Sequence, residues 1–177
     1  MALTNNYMAD DAFLTAQEVI NLAFTNKNTD PELINKEILV LTEIAHIKEE
    51  LGEEFFIHLK DAFTNSTETT DETALMNNWI KPCLAWFTRF ELILEIQNQS
   101  TSSGIVHNMP EFAGVVNATE LNVYKQDTYR KAKVMLSAMM KFLEDNTSSF
   151  PEYANASSSC VDGKTAGVNK NHGFIIY

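Results

Sequence analysis

Glu43 and His46 stand as Glu-x-x-His, a spacing that lets a carboxylate and an imidazole on one helix face reach the same metal ion. A second pair follows closely, Glu54 and His58 at i, i+4, and two further acids, Glu91 and Glu95, share that spacing. A di-iron carboxylate bundle needs two Glu-x-x-His motifs on separate helices plus a Glu from each of two others, all facing inward. The chain holds a single such motif, and Gly52 divides its two His-bearing pairs, so the histidines are expected at the surface or at helix caps. Glu91 and Glu95 are expected to face solvent at a helix edge.

The other reactive residue types point the same way. His107 and His172 have no Cys or second His at ligand spacing. Cys83 lies in an apolar segment and Cys160 in a polar one, which predicts two unlinked thiols, the first acting as a small buried apolar residue. There is no Gly-x-Ser-x-Gly elbow and no phosphate loop; Gly104, Gly114, Gly163 and Gly167 stand isolated. Met135, Met139 and Met140 recur at helical spacing and are expected in a core or a subunit contact. No catalytic residue, cofactor or metal ligand is therefore assigned, and a small metal-binding, di-iron-like helical enzyme stands as the alternative.

The elements that carry these residues read as helices. Phe13, Ala16, Ile20 and Phe24 line one face of a first helix over 12–24. Asp30 and Pro31 supply a cap and a first-turn proline for a second, with Leu33, Ile34, Ile38, Leu41, Ile44, Ala45, Ile47 and Leu51 in helical phase up to Gly52. A short third helix opens at Glu53 and carries Phe55, Phe56, Leu59 and Phe63. The most apolar stretch, 75–96, with Trp79, Trp86, Phe87 and Phe90, is expected as the central helix; Pro82 lacks a backbone donor, so the helix either begins near Asn77 or Asn78, with Asn78 the favoured cap, or bends at this point. A polar insertion over about 97–117, including Ile105, Val106, Phe112, Val115 and Val116, suits a short hairpin or extended arm. A last helix opens at Ala118 or Thr119 and runs to about Glu144.

Fold class follows from this pattern and from composition. Gly (6) and Pro (4) are scarce among 177 residues, which disfavours a strand-rich fold. The expectation is all-α: a bundle of four to five helices over 1–153 with the inserted arm, then an extended C-terminal tail over 154–177. That tail is polar for most of its length and ends on Phe174, Ile175, Ile176 and Tyr177, a strap fit to dock on a partner. The net charge of −11 argues against sequence-specific nucleic-acid binding and against anionic membrane surfaces. No apolar run reaches the roughly 18 residues that cross a bilayer, and Met1 to Asp11 has no signal-peptide pattern, so synthesis in a cytoplasm is expected.

The order of the parts adds a resemblance. A helix pair closes on Leu51-Gly52, an acidic-aromatic helix spans Glu53 to Phe63, Trp79-Ile80-Lys81-Pro82 leads an aromatic helix, Ser103 to Val106 reads Ser-Gly-Ile-Val, and a long helix runs into Phe150-Pro151-Glu152-Tyr153. Over residues 10 to 153 this resembles the connector or adaptor subunits of tailed bacteriophages, particularly those of crAss-like and other Bacteroidetes-infecting phages. The resemblance implies a homo-oligomeric ring of helical bundles beneath the portal protein, in contact with tail or further ring proteins and traversed by double-stranded DNA at the head-tail junction of the virion. Its neighbours would be gripped by the arm, at Ser103, Gly104, Ile105, Val106, Phe112, Val115 and Val116, and by the strap, Phe174 to Tyr177. A helical adaptor that binds a host protein is the third reading.

Overall fold

The computed structural model describes residues 12–25, 29–101, 104–107 and 118–153, with 94–101, 104–107 and 118 described by backbone only. The fold is an all-α bundle. Helix α1, Ala16–Ala23, starts later than the apolar spacing suggested because Thr15 and Glu18 form a reciprocal capping box that fixes its first turn. Phe13 thus lies ahead of the helix, yet it is fully buried among Phe56 and Phe63, at ring separations of 5.8 and 5.5 Å. The 154–177 tail lies outside the described residues.

The second helix also departs from expectation at its start. Asp30 and Pro31 do initiate a turn, Pro31–Leu33, but it is a 3₁₀ turn, and Asn35 caps the true helix. That helix, α2, spans 36–51 as Lys36–Glu43, a π turn at Ile44–Lys48, and a last α turn at Glu49–Leu51. Its buried apolar positions are Leu39, Val40, Ile47 and Leu51, whereas Leu41 and Ala45 are exposed, because the π turn shifts the phase that a uniform helix would keep; Leu33, also exposed, lies on the 3₁₀ turn ahead of the helix. Gly52 ends α2 at φ 84, ψ 150, a conformation that a Cβ would oppose. From it α3, Glu53–Asn65, opens with two acids in its first turn and buries Phe55, Phe56 and Leu59.

Thr69 and Glu72 form a second capping box, so the central helix α4 begins at Thr70 rather than at Asn78. It runs over 70–97 as Thr70–Leu75, a π turn at Met76–Ile80, and Lys81–Gln97. Pro82 leaves an unmatched carbonyl in a regular helix; the wider turn just before it re-routes the backbone bonding, so the chain passes the proline without stopping. Helix α4 is the axis of the bundle, packed by α1, by α2 and by α5, Ala118–Asp145. Cys83, Leu84, Ala85, Phe87 and Leu92 are buried along it, and each large apolar side chain so enclosed contributes roughly 1.5–3 kcal/mol.

Two short antiparallel strands, β1 Asn98–Thr101 and β2 Gly104–His107, form a hairpin that grows directly from the end of α4, with Asn98 opposite His107 and Thr101 opposite Gly104. At the other end of α5, a turn at Thr147–Ser149 brings Phe150 and Tyr153 into the core, where both contact Phe55. Met139 is fully buried and Met135 and Met140 pack partly against the core.

Candidate functional site

The fold parts Glu43 from His46. The π turn begins at Ile44, and a wider turn advances each residue by a smaller angle, so two side chains three apart fall short of a full turn and stand further from each other than α geometry would put them. Glu43 points inward. It is 2% exposed, pairs with Lys60 at 2.5 Å and accepts a hydrogen bond from the Phe13 amide at 2.5 Å. Burial pushes its carboxyl above the usual range despite the Lys60 ammonium, the Lys60 hydrogen bond and the Phe13 amide. Lys60, 4% exposed, also lies over the Phe13 ring at 4.1 Å, so one buried ion pair holds the segment before α1 against α2 and α3.

His46 turns the other way, stacking flat on Phe87 at 4.1 Å with its Nε2 2.8 Å from Glu91, which is exposed. His58 pairs with Glu72 across the loop, at 2.5 Å, and not with Glu54. Burial pushes Glu72 up, but the Thr69 amide, the His58 imidazole and the Thr69 hydroxyl outweigh it and leave the carboxyl below its ordinary value. This pair borders an open groove of about 460 Å³ lined by Asp61, Asn65, Thr67, Thr69, Ser149 and Glu152. A carboxylate that orients an imidazole is half of a general-base arrangement; the other half, a nucleophile or metal within reach of the ring, has no representative among the described hydrogen bonds.

Among the described residues no group of three or more His, Cys, Asp and Glu side chains is placed to hold a metal ion. Cys83 is buried, its thiol is pushed up to about 12 by burial, and its Sγ lies 3.9 Å from the Ala132 carbonyl oxygen, which leaves it unreactive at neutral pH. No helix among the described residues is long and apolar enough to cross a membrane. His107 lies on β2, while Glu95 carries no described side chain and Cys160 and His172 lie outside the described residues.

Sequence reasoning missed a second structural cluster. Arg89 on α4 donates to the Ala23 carbonyl at the end of α1 and to the Tyr124 hydroxyl on α5, while its guanidinium lies 5.1–5.3 Å from the rings of Phe24, Trp86 and Tyr124. One cation thus satisfies a helix C-terminus and ties three helices together. The available signal was a base flanked by apolar and aromatic residues inside the most apolar segment of the chain.

Of the residues singled out for contact with neighbours, Gly104, Ile105 and Val106 form β2. Ser103, Phe112, Val115, Val116, Phe174, Ile175, Ile176 and Tyr177 lie outside the described residues. A second groove, of about 410 Å³, opens at the start of α5 beside the exposed Val123 and Tyr124. No curated protein and no solved structure matches the chain. One family model does, over residues 47–163, from within α2 to beyond α5, and by that match over more than half its length the chain belongs to the family of unknown function DUF6712.

Proposed function

We propose that the chain is a non-catalytic structural subunit of a virion, one of a ring of identical copies that connects the portal to the tail of a tailed bacteriophage and lines the passage for its DNA. The observation that carries this reading is the hairpin of β1 and β2, whose principal contacts among the described residues are between its own strands and with the helix that leads into it. Two strands alone are marginally stable in water, and their outer edges offer unpaired backbone groups. Such an arm gains order by seating on another molecule, and in a ring every copy supplies the seat for the next. The net charge of −11 supports the same reading, since an acidic wall gives DNA phosphates nothing to adhere to.

The Glu and His residues that favoured a metal enzyme are taken up instead by separate pairs that join elements: Glu43 with Lys60, His46 with Glu91, His58 with Glu72. The test is the native mass of the full chain, alone and mixed with a candidate portal protein. A closed multimer, formed alone or with the portal and lost when 98–117 is replaced by a short Gly-Ser linker, is expected. A chain that stays monomeric in both settings refutes the ring and favours an adaptor for a host protein.

A further inference from the structure

The contact that closes the ring can be read from how the surface charge is divided. At the junction of α2 and α3 the turn at Gly52 brings together Glu49, Glu50, Glu53 and Glu54, all exposed. Glu50 reaches Lys133 of α5 at 3.8 Å, which sets this acidic knuckle along one flank of α5. Lys131 is only two residues away, but at about 100° per residue it lies on the far flank. There it sits over Trp86 of α4 at 5.2 Å. Beside it Arg130, 67% exposed, and Val134, 58% exposed, face outward.

Asp127 serves both Arg130 and Lys131, at 2.7 Å each, so one carboxylate stands against two cations and the patch keeps a positive excess. It belongs to the most basic stretch of α5, where Lys125, Arg130, Lys131 and Lys133 accompany that single acid. Glu49 and Glu54, in contrast, have no ion-pair partner among the described residues.

We infer that the Glu49–Glu54 knuckle of one copy docks on the Arg130–Lys131–Val134 face of the next. The inference rests on the ring reading above and names its subunit contact. A second copy is the occupant because it brings an acidic surface of matching charge in equal number. Nucleic acid would meet a small cationic patch on a chain of net charge −11. The two surfaces are different patches of the same chain, so each copy meets its two neighbours with different patches and the contact is head-to-tail, the type that closes into rings. Val134 supplies an apolar centre within the charged rim.

The test uses two charge-reversed forms of the full chain, Glu49→Lys with Glu54→Lys and Arg130→Glu with Lys131→Glu, studied by native mass with or without portal, as the wild type requires. All four positions are exposed or half-exposed, and circular dichroism checks that helix content is kept. Each double variant alone should associate about 100-fold more weakly, since like charges then face each other. An equimolar mixture should recover an alternating multimer, because every junction then pairs opposite charges, and wild-type association should weaken with added salt. Multimers from both double variants as strong as wild type, or a loss that mixing leaves unrepaired, overturn the contact while the ring stands. A wild-type chain that never forms multimers removes both.

Discussion

Replacing Lys60 with Met, which keeps most of the volume and removes the charge, tests the argument that one buried ion pair holds the chain ahead of α1. The variant leaves the Glu43 carboxylate enclosed, with the Phe13 amide as its remaining described hydrogen-bond donor. Losing one partner of a buried pair costs roughly 3–5 kcal/mol, because the other charge stays desolvated and unmatched. A domain of this size holds on the order of 5–15 kcal/mol in all, so the urea midpoint should fall by a large fraction. Pairing Lys60→Met with Glu43→Leu should restore most of the loss, since an apolar pair of similar bulk removes the cost of burying charge. The sign of the pH dependence is fixed too. Glu43 has a raised carboxyl in the fold, so its neutral form is favoured there, and the stability of that form is fully present below the unfolded value and lost as pH rises through the folded one. The deficit of the single variant should therefore shrink as pH is lowered toward the ordinary carboxylate range. A deficit under about 1 kcal/mol that is flat with pH would refute the reasoning.

Arg89→Ala should lower stability by about 2 kcal/mol and speed amide exchange in α1 first, since the α1 C-terminus loses its cation; Arg89→Lys should rescue little, because an ammonium cannot fork to two acceptors while stacked on three rings. Gly52→Ala places a Cβ at φ 84, ψ 150 and should cost about 1–3 kcal/mol in urea denaturation, with no change expected at an exposed site such as Ser137. Glu18 and Glu72 are both held below the ordinary carboxylate value, so their contribution is present above the unfolded value and lost as pH falls through the folded one; the urea midpoint should drop on acidification, and Glu72→Gln should flatten that slope.

How far the sequence disclosed this fold depended on whether a feature leaves a local mark. Helix α3 was legible at its start because Gly52 ends one helix and Glu53 and Glu54 suit the first turn of the next. The capping boxes at Thr15-Glu18 and Thr69-Glu72 were equally present in the chain, yet the apolar spacing at Phe13 and the proline at 82 drew the boundaries elsewhere. The two π turns have no such mark. A regular period was assumed through Ile44–Lys48, and that assumption put Leu41 and Ala45 in the core and Glu43 beside His46. Lys60 could have been found, since it sits in helical phase with Phe56 and Phe63, where a base must meet a buried acid.

The described Glu43, His46, His58 and Glu91 side chains join elements, and this bears on what a subunit of the proposed ring must withstand. His46-Glu91 and Lys81-Glu18 tie α2 and α1 to α4, Arg89 adds α5, and Glu43-Lys60 secures α2 to α3. Each is a directional bond between helices, which fixes their relative rotation more sharply than apolar contact alone, since apolar packing is non-directional. In a closed ring an error in one subunit's shape repeats at every junction, so a rigid bundle is needed if the last copy is to meet the first. Loosening the bundle without touching its exterior should then broaden the multimer distribution before it lowers the affinity of any single contact. Lys60→Met, whose side chain is enclosed between the segment before α1, α2 and α3, is the variant that separates those two effects by native mass. A single sharp multimer from that variant would show that closure tolerates a loosened subunit and that these bonds serve stability alone.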